Sequence, residues 1–154
     1  MSTSVTGLQF DASLLALSAA DGWQEKNGSW WIAPEDLDVR EMASLMLAQD
    51  ARLITMTAME GLDGETRLAF HWDVKGVILT FSTVTHGNTS TSISDLCIAA
   101  DWVERETNEY FAVEFTGRNN TKPLMLRPGL KPGLNRRTLE PAQERPAAGK
   151  SNKL

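Results

Sequence analysis

Three runs of alternating apolar residues, separated only by short glycine-containing loops, constrain this chain more than any other feature. They are Leu53-Ile-Thr-Met-Thr-Ala-Met59, Thr66-Arg-Leu-Ala-Phe-His-Trp72 and Val77-Ile-Leu-Thr-Phe-Ser-Thr83. A period of two is the period of a strand. In the second run Leu68, Phe70 and Trp72 share one face, with Arg67, Ala69 and His71 on the other; in the third, Val77, Leu79 and Phe81 oppose Ile78, Thr80 and Ser82. Gly61-Leu-Asp-Gly64 and Asp73-Val-Lys-Gly76 are hairpin-length connections with glycine available for positive φ. The runs therefore predict an antiparallel meander, whose apolar face needs a second layer to cover it.

Helical patterns on both sides supply that layer. Pro34-Glu35-Asp36-Leu37-Asp38 places a proline and three acids where unpaired first-turn amides favour them, predicting a helix over 35–49. Val39, Met42, Ala43 and Met46, with Leu45 beside them, are expected on its apolar face, and the methionines read as core packing. Ser92-Ile-Ser-Asp95 has the form of a capping box and predicts a helix over 93–110. Nearer the start, residues 10–20 form a shorter helical pattern stopped by Asp21-Gly22. Lys26-Asn27-Gly28-Ser29 is a tight turn that would pair Trp30-Trp31-Ile32 back on the Trp23 segment. The expected fold class is α+β: a two-layer domain with a small, largely antiparallel or mixed sheet covered by helices.

Charge divides the chain. Residues 1–117 hold 18 acids against 6 Lys or Arg, whereas residues 118–154 hold 2 acids against 9. The basic end carries five of the six prolines, and its apolar periodicity fades after Leu126, so it cannot pack a core of its own. The boundaries that follow are a domain over 1–117 and a basic, Pro-rich segment over 118–154, which reads either as a solvated tail or as an arm that orders across the acidic surface of a partner. Nucleic acid is a poor candidate for that partner, because the arm has no aromatic residue to stack on bases.

Much chemistry is excluded. The single cysteine, Cys97, cannot make an internal disulfide or hold an iron–sulfur cluster, and its apolar neighbours mark it as a small hydrophobe. The P-loop, dinucleotide, nucleophile-elbow and zinc-protease motifs are all missing. His71 and His86 would need a carboxylate brought in by the fold to form a metal site, and neither is assigned one. Asn27-Gly-Ser, Asn88-Thr-Ser and Asn119-Asn-Thr match the glycosylation pattern but read as turn chemistry. No signal-peptide pattern or run of 18 apolar residues is present, so the expectation is a soluble intracellular chain.

One polar cluster remains, Asp101-Trp-Val-Glu-Arg-Glu-Thr-Asn-Glu-Tyr-Phe111. On a helix Trp102, Glu106 and Tyr110 are four apart, and Arg105 can reach Asp101 and Glu109. Such carboxylates can line a pocket as general acid and base or form an ion-paired face.

The order of the cluster is itself informative. Glu104-Arg105-Glu106, then Glu109 and Tyr110-Phe111, then Arg118, then Lys122 before Pro123-Leu-Met125, resembles the signature of the thirty-kilodalton subunit of respiratory complex I. That family has counterparts in the complex I-related membrane-bound nickel–iron hydrogenases. The lead-in Ser94-Asp95-Leu96 and Ala99-Ala-Asp-Trp102 agrees, and the similarity spans about residues 30–140. Ala112 stands where a glycine is usual, and Gly117-Arg118-Asn119 replaces the usual Gly-His-Pro.

The resemblance implies a non-catalytic structural subunit of a peripheral arm, lying on the cytoplasmic side of the membrane. It has no cofactor of its own; iron–sulfur clusters and a quinone or nickel–iron site are expected in partner chains. Its partners would be the large catalytic subunit and an iron–sulfur subunit. Glu104, Arg105, Glu106, Glu109, Tyr110, Phe111, Arg118 and Lys122 would then serve the subunit interface, with the four charged helix residues fixing the start of the arm. The rival expectations are a free-standing acid–base enzyme using Glu104, Glu106 and Glu109, and a binding module acting through the basic tail.

Overall fold

A computed structural model of the chain describes residues 23–61 and 64–137. Among them the elements run β1 (Gln24–Lys26), β2 (Ser29–Ile32), α1 (Val39–Ala48), β3 (Arg52–Glu60), β4 (Thr66–Val74), β5 (Val77–Val84), β6 (Thr89–Thr91), α2 (Ile98–Phe111) and β7 (Glu114–Thr116). The helix expected over 10–20 lies outside the described residues.

The fold is α+β, with a five-stranded mixed sheet in the order β1-β2-β5-β4-β3. The β1–β2 hairpin turns on Asn27 and Gly28, both at positive φ, and sets Gln24 opposite Trp31. β3, β4 and β5 form the expected meander, while β2 adds to β5 in parallel. That pairing draws single rows of apolar side chains across the sheet. Ile32, Phe81, Phe70 and Met56 occupy one row and are all buried; Leu79, Trp72 and Leu53 occupy the next. Burying each large side chain in these rows is worth about 1.5–3 kcal/mol. Val39, Met42, Ala43 and Met46 of α1 join the same core, as their helical spacing requires.

Three local expectations change. First, β3 does not alternate throughout: its register with β4 shifts between Leu53 and Thr55, leaving Ile54 exposed. This bulge lets Leu53 and Met56 both reach the core although they stand three positions apart, an offset that simple alternation would put on opposite faces. Second, α1 starts at Val39 because the Asp38 carboxylate accepts the amides of Arg40 and Glu41, each at 2.9 Å. Third, α2 starts at Ile98, because Ser92 and Asp95 bond elsewhere instead of forming the expected capping box. Arg40 grips Asp95 with two bonds of 2.8 Å and also donates to the Ser92 carbonyl at 2.8 Å, tying α1 to the segment before α2.

The strands flanking α2 pair with each other. β6 lies parallel to β7, with Ser90 opposite Phe115, so the helix bridges two adjacent parallel strands. Its C-terminus closes on Ala112 at φ 54, in the left-handed region.

Candidate functional site

The acidic cluster lies on α2, and its spacing decides which carboxylates are buried. Ala100, Glu104, Thr107 and Glu109 are buried, whereas Trp102 is exposed. A helix that buries carboxylates must give each one partners, because an unpaired buried charge costs several kcal/mol.

Glu104, at 1% exposure, is held on both oxygens. The Ser92 hydroxyl donates to one at 2.7 Å and the Ile93 amide to the other at 2.8 Å. Burial pushes its pKa up; the bonds from Ser92 and Ile93 and the nearby Arg118 charge oppose this, and burial prevails. Its place is structural: it anchors the 92–97 turn to the helix.

Glu109 and Arg105 hold the arm. Burial alone would raise the Glu109 pKa, but the amides of Leu126, Met125 and Leu124 and the Arg105 charge outweigh it and bring the pKa below the ordinary carboxylate range. Leu124 donates at 2.5 Å, and Met125 donates to both carboxylate oxygens at 3.0 Å. Arg105 donates to the carbonyls of Lys122 at 3.0 Å and Pro123 at 2.9 Å, and to Asp101 at 3.3 Å. Further along, Gly133 and Asn135 donate, each at 2.8 Å, to the Glu109 and Tyr110 carbonyls. The arm thereby satisfies acceptors that the end of a helix leaves unpaired. It next crosses to the β3–β4 end of the sheet, where Arg136 donates to the Gly64 carbonyl at 2.6 Å and the Arg137 amide to Glu60 at 2.7 Å.

Of the remaining motif residues, Glu106, Tyr110 and Phe111 are half-buried on α2. Arg118 and Lys122 meet Arg105 and Glu109 around a cavity of about 180 Å³. The structure thus gathers Arg105, Glu109, Arg118 and Lys122 at one place and sets Glu104 to work on the turn before α2. Both oxygens of Glu104 and of Glu109 are committed to amides or a hydroxyl, an arrangement suited to fixing chain geometry.

Sequence reasoning gave Asn88 no role beyond a turn, yet it joins three segments. Its side-chain Oδ1 accepts from the Thr66 hydroxyl at 2.7 Å, and its side-chain Nδ2 donates to the carbonyls of Phe111 at 2.9 Å and Ala112 at 2.7 Å. The available signal was its place in a His-Gly-Asn turn, which its φ of 57 confirms. His71 bonds Thr80 at 2.9 Å and Thr57 at 3.1 Å on the sheet, with its pKa lowered by burial. Cys97 packs half-buried against the core, and no cluster of metal-ligating side chains occurs among the described residues. No described helix is long and apolar enough to cross a membrane.

The family model described as "Respiratory-chain NADH dehydrogenase, 30 Kd subunit" matches residues 31–143, most of the chain. The chain belongs to this family. Among curated proteins no sequence match is found. Two solved structures share the thirty-kilodalton subunit fold. One is the trypsin-resistant fragment (1-134) of Nqo5, with a TM-score of 0.57, 18% identity, and 71% of this chain and 97% of that one covered. The other is a chain from the membrane-bound sulfane sulfur reductase, an archaeal respiratory membrane complex, with a TM-score of 0.59, 19% identity, and 77% and 74% covered. As a thirty-kilodalton-type subunit, the chain is of a kind found in multi-subunit respiratory complexes, and partner subunits are expected.

Proposed function

We propose that the chain is a non-catalytic structural subunit in the peripheral part of a membrane-associated, complex I-like oxidoreductase. It packs there against the large subunit that carries the quinone or nickel–iron site and next to an iron–sulfur subunit, on the cytoplasmic side. The observation that carries this reading is the arm. Its main chain is fixed to α2 by Glu109 and Arg105, while Met125, Leu130 and Leu134 remain 56%, 44% and 54% exposed. A segment with its backbone pinned and its apolar side chains in water is preorganised to bind another surface, since ordering has already been met within the subunit. Ile98 and Trp102, four apart on α2 and 85% and 61% exposed, extend the apolar surface.

Gentle detergent extraction of the tagged chain from its native membranes, followed by mass spectrometry, tests this. A large subunit with iron–sulfur and membrane partners is expected, and that subunit's ligand cysteines would separate a hydrogenase from a quinone reductase. Arg105→Ala should reduce assembly while leaving the turnover of complexes that still form. Recovery of a partner-free monomer would overturn the reading, as would normal assembly with lost turnover.

A further inference from the structure

The cavity between α2 and the arm carries unmatched cationic chemistry. Arg105, Arg118 and Lys122 line it against the single carboxylate of Glu109. Arg105 spends its donors on Lys122, Pro123 and Asp101, and Glu109 spends its oxygens on Leu124 and Met125. Arg118 differs. Its Nε and Nη1 are both shielded from water and have no hydrogen-bond partner among the described residues, with Glu104 acting on it only through the field. Shielded guanidinium donors without an acceptor are costly, and an ionised carboxylate oxygen, which forms short charge-assisted bonds with a guanidinium N–H, is the acceptor that suits such a donor best.

The size of the site selects its ligand. At about 180 Å³ it is smaller than the roughly 300–1,000 Å³ of small-molecule pockets, leaving room for the end of one side chain. Leu126 and Leu130 also line it, and such apolar walls lower the local dielectric and strengthen any ion pair formed inside. Leu130 and the neighbouring Met125 are also among the arm's exposed apolar side chains, so the cavity is continuous with the surface assigned above to partner binding.

We propose that this cavity is a socket for one aspartate or glutamate side chain of the partner subunit, held by Arg118 and Lys122. The inference rests on the assembly reading and adds the chemistry by which the partner is recognised. A water-soluble carbodiimide provides the test on the purified complex. It activates a carboxylate, a contacting amine displaces it to form an amide, and the reagent leaves as its urea. Lys122 is a native amine at the site, and Arg118→Lys introduces a second.

The expected product is an amide from Lys122, from the amine introduced at 118, or from both, to an acidic residue of a partner chain. Arg118→Gln should diminish the Lys122 product severalfold by loosening the socket. A link instead to Glu140 or Glu144 of the same chain would mean that the tail fills the cavity, and would overturn the proposal. So would an intact complex in which neither amine is linked while other lysines are. Should Arg118→Lys prevent assembly, the Lys122 product of the unaltered complex decides. Failure to recover any complex would count against the assembly reading; an intact complex lacking the link would count against the socket alone.

Discussion

Replacing Glu104 separates hydrogen bonding from charge at the most buried carboxylate of α2. In Glu104→Ala the Ile93 amide loses its acceptor, and a buried orphan donor costs about 1–3 kcal/mol. The Ser92 hydroxyl loses less, about 1 kcal/mol, because Ser94 remains 2.8 Å away as an alternative partner. Lost packing adds about 1 kcal/mol, and relief from burying a carboxylate offsets part of the total. The expected net loss is about 3 kcal/mol, or about 12 °C in Tm for a domain of this size.

Glu104→Gln behaves differently. Its oxygen can still accept from Ile93, and its amide can donate to Ser92, whose hydroxyl then turns to Ser94. The expected change is within about 1 kcal/mol. Urea and thermal unfolding followed by circular dichroism at pH 7 distinguish the two variants. The pH dependence adds a second check. The folded pKa is raised by burial above its usual value of 4.5, so the unfolded chain releases this proton first. The wild type should therefore lose stability relative to Glu104→Gln as pH rises from 4.5 through the folded pKa, and the difference should then level off. If Glu104→Gln were as damaging as Glu104→Ala, the charge facing Arg118 would be the important contribution and the hydrogen-bond account would be refuted.

Other substitutions probe the joints around the same helix. Glu109→Gln replaces charge-assisted bonds by neutral ones and should loosen the arm by about 1–2 kcal/mol, read as roughly tenfold faster amide exchange at Leu124 and Met125. Because the Glu109 pKa is lowered on folding, the wild-type arm should keep its protection above 4.5 and lose it as pH falls through the folded pKa, whereas the variant should show no such step. Asn88→Ala removes bonds to Thr66, Phe111 and Ala112 and leaves an alanine at φ 57; a loss of about 2–3 kcal/mol is expected in urea unfolding, of which Asn88→Gly should recover about 0.5–1 kcal/mol. Ala112→Gly should stabilise by about 0.5–1 kcal/mol, since glycine adopts the left-handed cap without Cβ strain, and an unchanged midpoint would contradict that cost.

Local chemistry in the sequence determined a good deal. The alternation of residues 66–72 and 77–83 fixed which side chains enter the core, because a two-residue period leaves no other face for Leu68, Phe70, Trp72, Leu79 and Phe81. The three- and four-residue spacing of Val39, Met42, Ala43 and Met46 did the same for α1. The order of charges and aromatics from Glu104 to Lys122 was enough to indicate the family, which the match over residues 31–143 establishes. Tertiary structure decided the rest, because the deciding partners lie far apart in the chain. The parallel docking of β2 on β5, the pairing of Arg40 with Asp95 and the triple role of Asn88 all join segments that no local pattern relates. Nor could spacing distinguish the two glutamates. Glu104 and Glu109 occupy one acidic cluster, yet burial raises the pKa of the first, while amides delivered by the returning arm lower that of the second. A carboxylate's proton affinity depends on what the fold places around it, and for Glu109 those groups arrive from residues 15–17 positions away.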